Sequence, residues 1–182
     1  MISIISPVFN RERFLIRFIR SIQYQSFNNI EIIFVDDYSI DKGVKIIYEY
    51  QQEDGRIILI KNKKNKGTFQ SRNLGVIYYR GKYLIIPDPD DILSKDILNT
   101  CYNFAEKFNY EIMKFAFYKG NGIIAFDKYV NKYGNKLIYQ PELSTNIFYG
   151  NNELETMDYN IYNKFIKKEV YIKSLNILIH YY

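Results

Sequence analysis

Apolar residues in this chain fall into short continuous runs separated by stripes that recur every three or four positions. Ile2-Ser3-Ile4-Ile5-Ser6 reads as a strand stopped at Pro7, which has no N–H to give to a central ladder. Phe14, Leu15, Phe18, Ile19 and Ile22 follow at helical spacing, with Arg11, Arg13, Arg17 and Arg20 on the other faces. Ile30 to Val35 is a second strand. Val44, Ile47 and Tyr48 mark a second helix, opening near Ser39 or Asp41, either of which can cap it. Arg56 to Ile60 makes a third strand. Thr68 is placed to cap a third helix carrying Phe69, Arg72, Asn73, Val76 and Ile77, and Gly81 stands where a helix ends. Tyr83 to Ile86 is a fourth strand, Ser94 to Phe108 a helix, and Glu111 to Phe117 a fifth strand.

Repeated strand–helix alternation predicts an α/β fold: a mostly parallel sheet with helices on both faces. Beyond Gly120 the pattern loosens. Ile123–Phe126 and Lys136–Tyr139 are expected to pair as a hairpin, and Asn163 to Ser174 to be helical. No linker, repeat or low-complexity tract divides residues 1–182, so one domain is expected, with residues 1–110 as one half and 111–182 as the other.

Composition narrows the chemistry. The net charge of +5 and pI near 9.0 suit an anionic partner, yet the basic residues are interleaved with acids, which favours phosphate attraction over a nucleic-acid interface. The run Lys61-Asn62-Lys63-Lys64-Asn65-Lys66 fits either a phosphate contact or a solvated loop. The 19 Tyr and 13 Phe sit at expected core positions and form no aromatic platform for nucleic acid. Cys101 is the only cysteine, so no internal disulfide or cysteine metal site forms, and it is expected on the apolar face of its helix. His180 is the only histidine, which removes multi-histidine metal sites. No apolar stretch reaches the roughly 18 residues of a membrane span, and Met1 leads straight into a strand without a signal-peptide core. A soluble, cytoplasmic chain is expected, with peripheral membrane association left open.

Two carboxylate clusters stand directly behind strands: Asp36-Asp37, and Asp88-Pro89-Asp90-Asp91. In one parallel sheet they share an edge, where like charges oppose folding unless a cation or hydrogen-bond donors compensate, and where ligands of open α/β sheets bind. A metal and an anionic ligand are the expectation. Pro87 and Pro89 bias Ile86 and Asp88 toward extended backbone, so Asp88 and Asp90 would face one side and Asp91 the other. A hard divalent cation with phosphate oxygens suits that pair, and a solvated turn is the alternative. Asp36 and Asp37 either accept hydrogen bonds from a base or ribose, or cap the next helix. Asn65-Lys66-Gly67-Thr68 sets a helix N-terminus where backbone N–H groups can receive an anion, and Arg72 lies one turn in, able to fork onto phosphate.

Taken together, Ile4-Ile5-Ser6-Pro7-Val8-Phe9-Asn10, Val35-Asp36-Asp37-Tyr38-Ser39, Asn65-Lys66-Gly67 with Ser71-Arg72-Asn73-Leu74-Gly75, and Gly81 through Asp91 resemble, in order and spacing, the nucleotide-sugar half of family 2 glycosyltransferases. The resemblance covers residues 2 to about 98, and Tyr162-Asn163-Lys164-Phe165 weakly resembles a later asparagine-lysine segment of such domains. It implies a GT-A fold, a nucleoside-diphosphate sugar donor with a UDP-sugar foremost, Mn²⁺ or Mg²⁺, and inverting transfer to a glycan, lipid or protein hydroxyl. By position, Pro7, Phe9 and Asn10 would line the nucleotide pocket, and Asp36 or Asp37 would bond the base. Gly67 and Arg72 would lie near base and diphosphate, Asp88 would face ribose or metal, and Asp90 would be the main metal ligand.

The chain departs from that pattern in three ways. Tyr38 stands where a small residue, often glycine, is usual, and is expected to put a large ring beside the base pocket and alter its shape. Pro89 replaces a small or polar residue. Residues 171–182 contain no acid, whereas the family's general base usually comes from an acidic pair after the asparagine-lysine segment. The expectation is a chain that stops short of the base, with Glu153, Glu155 and Asp158 as weak substitutes. Two other readings remain: a module that holds nucleotide sugar without efficient transfer, and a receiver-like Mg²⁺-binding signalling domain.

Overall fold

Every residue of β1 (Ile2–Val8) and β2 (Ile30–Asp36) is buried, the mark of strands covered on both faces. The computed structural model describes residues 1–115, 118–119, 122–123, 137–138, 147–150 and 164–172, and these divide between two units, Met1–Leu98 and Asn99–Tyr182.

In the first unit β1 and β2 pair in parallel from Ile2 opposite Ile30 to Val8 opposite Asp36. β3 (Ile57–Lys61) adds beside β2 and β4 (Tyr83–Ile85) beside β1, giving the all-parallel order β3-β2-β1-β4. Parallel neighbours need crossovers, supplied by α1 (Glu12–Gln23), α2 (Gly43–Glu53) and α3 (Thr68–Tyr78). Successive strand residues point to opposite faces. Phe34 meets Phe18 of α1 edge-on, with ring centroids 6.1 Å apart, while its neighbour Val35 lies against Gly75 of α3. Helices α1 and α3 therefore cover opposite faces, as the sequence pattern predicts.

Gly75 is what lets α3 close on the sheet: a Cβ there would run into Ile5 and press on Val35. Gly75→Ala is expected to cost about 1–3 kcal/mol through overpacking, read as a lower urea midpoint. Gly81 serves the same purpose where β4 begins, since its missing Cβ would strike Ser3. It does not end α3, which stops at Tyr78 with Tyr79 as its C-cap. Beside Gly81, the buried Glu31 carboxylate accepts from Ser3 Oγ at 2.5 Å, Arg80 N at 2.5 Å and Gly81 N at 3.2 Å. Burial pushes the Glu31 carboxyl up, but these donors outweigh it and hold it below the ordinary range.

The second unit's described pairs are antiparallel. β5 (Ile112–Phe115) pairs with β9 (Ile147–Gly150) and β10 (Lys164–Lys167); β8 (Leu137–Ile138) pairs with β9; β6 (Tyr118–Lys119) pairs with β7 (Gly122–Ile123). Helix α4 (Ile97–Phe108) starts later than Ser94 and carries Cys101, buried as expected, with desolvation driving its thiol pKa upward. Ile123 pairs back onto Tyr118, and Leu137 and Ile138 pair onward with β9; residues 124–126, 136 and 139 of the expected hairpin lie outside the described residues. One expectation fails here. The segment from Lys164 to Lys167 is a strand with Phe165 and Ile166 buried, and helical backbone begins only at Lys168. Tertiary pairing overrode a short apolar run whose period suits either state. Glu153, Glu155, Asp158, Tyr162, Asn163 and His180 lie outside the described residues.

Candidate functional site

Strand order reverses across β1, whose neighbours are β2 on one side and β4 on the other, and a crevice opens at such a switch point beyond the strand C-termini. A cavity of about 500 Å³ lies there, lined by Pro7, Val8, Phe9, Asn10, Arg11, Asp37, Thr68, Arg72, Asp88, Pro89 and Asp90. Its size suits a nucleotide-scale ligand. Of the residues singled out from sequence, Pro7, Phe9, Asn10, Asp37, Arg72, Asp88 and Asp90 are brought together; Asp36 and Gly67 are not among the lining residues. Arg11 and Thr68 were not singled out as site residues, although Arg11 directly follows the noticed segment ending at Asn10 and Thr68 closes the one beginning at Asn65.

Asp36 and Asp37 have separate local duties. Both oxygens of Asp36 accept from Ser39 N at 3.3 Å, which turns the chain after β2. The buried Asp37 carboxylate accepts from Lys66 N at 2.8 Å, Gly67 N at 2.7 Å and Asn62 Nδ2 at 2.8 Å. Burial pushes its carboxyl up, and donors led by Lys66 N outweigh that and hold it below the usual range. The two amides ahead of α3, expected to receive a ligand's anion, thus receive Asp37 instead. Thr68 is the first helical residue rather than the cap. Gly67 takes that position at φ +85, where only glycine is unstrained.

The loops after β1 and β2 are sewn together. Asn10 N donates to Ser39 Oγ at 3.0 Å, and Asn10 Oδ1 accepts from Ile40 N at 2.9 Å. Glu12 N donates to Asp41 Oδ2 at 2.9 Å, while Glu12 Oε2 accepts from Lys42 N at 2.7 Å. Asp41 also takes Gly43 N at 2.9 Å from just outside α2, whose cap position is held by Lys42 and by neither Ser39 nor Asp41 as expected. Asn10 and Tyr38 both have left-handed backbone, at φ 52 and φ 70. Glycine adopts that geometry freely, and a tyrosine there bears roughly 1–2 kcal/mol of strain. The Tyr38 ring is 55% exposed and is not among the residues lining the cavity.

The second acidic cluster is a turn, not an extended stretch: Asp91 N donates to Asp88 O at 3.0 Å across Pro89 and Asp90. Proline at the second position of such a turn presets its φ. The turn still presents Asp88 and Asp90 to one cavity. Arg72 Nη2 reaches Asp88 Oδ1 at 2.8 Å, so in this state Arg72 neutralises an acid. Arg72 Nε is buried without a partner, as is the neighbouring Asn73 Oδ1. Desolvation, then the charges of Asp88 and Asp90, push the Asp91 carboxyl up. Among the described residues no group of three or more His, Cys, Asp or Glu side chains forms a protein-only metal cage. Two carboxylates with room for a ligand's oxygens match how Mg²⁺ or Mn²⁺ is held alongside a phosphate, so the donor set fits such an ion.

Residues 3–174 match the sequence family described as Glycosyl transferase family 2. The chain belongs to that family. Among relatives of this family 2 chain is the glycosyltransferase GlyG of Streptococcus pneumoniae, 29% identical over 113 residues, which are 62% of this chain and 38% of GlyG. TarS 1–349 of S. aureus superposes with a TM-score of 0.69 at 20% identity, over 92% of this chain and 47% of that one. TarS has also been crystallised with UDP-GlcNAc, a structure matching at TM-score 0.58 and 24% identity over 61% of this chain and 32% of that one. The mannosyltransferase PcManGT of Pyrobaculum calidifontis, in complex with GDP-Man and Mn²⁺, matches at TM-score 0.57 and 16% identity over 61% of this chain and 34% of its own. These likenesses show the GT-A type of α/β fold. The family 2 chain spans less than half the length of each relative named here. The family assignment leaves the receiver-like reading without support.

Proposed function

We propose that this chain holds a nucleoside-diphosphate sugar in the crevice between β1 and β4 and transfers its sugar, with inversion, to an acceptor hydroxyl. The observation that carries this reading is the meeting of Arg72, Asp88 and Asp90 in one cavity with Pro7, Phe9 and Asn10. Phe9, 45% exposed, offers a ring face to the nucleoside, and Arg72 offers a guanidinium to the diphosphate. Asp88 and Asp90 would hold a divalent ion against the same diphosphate. That ion, when bound, supplies a Lewis acid that stabilises charge on the leaving group. In the transfer the anomeric carbon–phosphate oxygen bond breaks and a bond to the acceptor oxygen forms, with the acceptor proton passing to a general base. A UDP-sugar is the first donor to try, supported by the UDP-GlcNAc complex of TarS.

The test is a calorimetric screen of UDP- and GDP-sugars with Mn²⁺ and with EDTA, with diphosphate release followed in parallel. Micromolar binding that weakens at least tenfold in EDTA, together with slow hydrolytic or acceptor-dependent release, is expected. Metal-dependent binding with no release under any acceptor would favour a donor-holding module. No binding of any sugar nucleotide would overturn the proposal.

A further inference from the structure

Helix α1 carries Arg17 and Ser21 four apart on one stripe, and Gln25, just past the helix end, continues it by donating Nε2 to Ser21 O at 3.0 Å. Gln25 is 4% exposed, an expensive place for an amide unless every group is used. Arg17 bonds to the acidic turn itself, and Ser21 and Gln25 bond to the segment that follows it. Arg17 Nη2 donates to Asp90 O at 3.1 Å, Ser21 Oγ accepts from Leu93 N at 3.2 Å, and Gln25 Nε2 donates to Ser94 O at 2.8 Å. Gln25 Oε1 accepts from Leu98 N at 3.3 Å, and Ser26 N donates to Lys95 O at 3.0 Å. The stripe is a rail to which residues 90–98 are tied in register, and Arg17 is its end nearest the cavity. The Arg17 guanidinium is itself steadied by the Phe14 ring, 5.0 Å from its centroid.

We infer that Arg17 is a positioning residue for Asp90, fixing the Asp88–Asp91 turn from α1 while Arg72 holds the Asp88 carboxylate from α3. This rests on the proposed reading of Asp90 as a metal ligand. Arg17 is not among the residues lining the cavity; it acts by holding the Asp90 main chain so that the carboxylate stays beside Asp88. Partners that orient a ligating side chain typically change metal affinity by 10–100-fold when removed.

Arg17→Met keeps the stem and removes the donor, and Arg13→Met is its control. Arg13 also lies over Phe14, at 4.8 Å, and is not among the cavity residues. Two readouts are taken on the 182-residue chain. In ligand-free protein, amide hydrogen exchange at Asp91 and Leu93 should quicken about tenfold in Arg17→Met and stay unchanged in Arg13→Met and in β1. In UDP titrations, the ratio of affinity with Mn²⁺ to affinity in EDTA should drop about tenfold in Arg17→Met, with the EDTA affinity unmoved and Arg17→Lys recovering part of the loss. Unchanged exchange overturns the inference, and so does an equal loss with and without Mn²⁺, which would mark general destabilisation. If the unaltered chain shows no Mn²⁺-dependent UDP affinity, the proposed function is what fails, and the exchange rates alone decide whether Arg17 holds the turn.

Discussion

Asp90→Ala is expected to lower Mn²⁺-dependent affinity for UDP about a hundredfold while leaving the melting temperature unchanged or slightly raised. Asp90 is exposed on the turn, and its carboxylate makes no hydrogen bond among the described residues; only its main-chain oxygen is used, by Arg17. Truncation therefore removes no packing and eases the like-charge crowding that pushes Asp91 upward. A metal ligand is worth far more than an exposed ion pair. Losing one of two carboxylates on the ion is put at roughly 3 kcal/mol, which is the hundredfold. Asp88→Ala mixes two effects, because it also frees Arg72, and is the poorer test. Calorimetry showing the same Mn²⁺ dependence in Asp90→Ala as in the unaltered chain would sink the metal assignment.

Asp37→Ala is expected to cost stability instead, on the order of 3 kcal/mol at pH 7, because three donors lose a charged acceptor in a buried place. Its pH dependence identifies the cause. Hydrogen bonding holds the folded Asp37 carboxyl below its unfolded value, so the stabilisation is full above about pH 4 and is lost as pH falls through the lower folded pKa. The gap between the unaltered chain and Asp37→Ala should therefore narrow with falling pH in urea titrations. A gap that stays constant down to pH 2 would mean that the carboxylate charge is not what holds the loop. The same variant should weaken UDP binding with and without Mn²⁺ alike, since the start of α3 would shift together with Thr68 and Arg72.

Much of the N-terminal unit was legible because its signals are local. The short, mostly apolar runs at Ile2, Ile30 and Tyr83 need no partner to be recognised as buried strands, and carboxylates directly behind the second and third emerge at one edge of a parallel sheet. What sequence spacing could not supply was which donor meets which acid. Asp37 meets the amides of Lys66 and Gly67 only once β3 has brought that loop alongside, and Arg72 meets Asp88 only because Gly75 lets α3 lie close. Ser21 and Gln25 were passed over for the same reason. On an amphipathic helix they look like ordinary polar positions, and their partners lie about 70 residues away. At Asp88 the sequence left an extended stretch and a turn both open, because proline restrains the residue before it without forbidding a turn after it, and the turn is what forms. The Lys164 strand was missed because its antiparallel partners lie far back in the chain, and a run of four carries no decisive period.

The reciprocal bonds between Asn10 and Ser39–Ile40, and between Glu12 and Asp41–Lys42, bear on how such a protein can be altered. Each loop supplies what the other lacks, so neither is a self-sufficient insert. Residues 38–42 exchanged alone for those of a relative would arrive without the asparagine and glutamate that hold them. Residues 10–12 and 39–42 are therefore one structural unit, to be exchanged together or not at all.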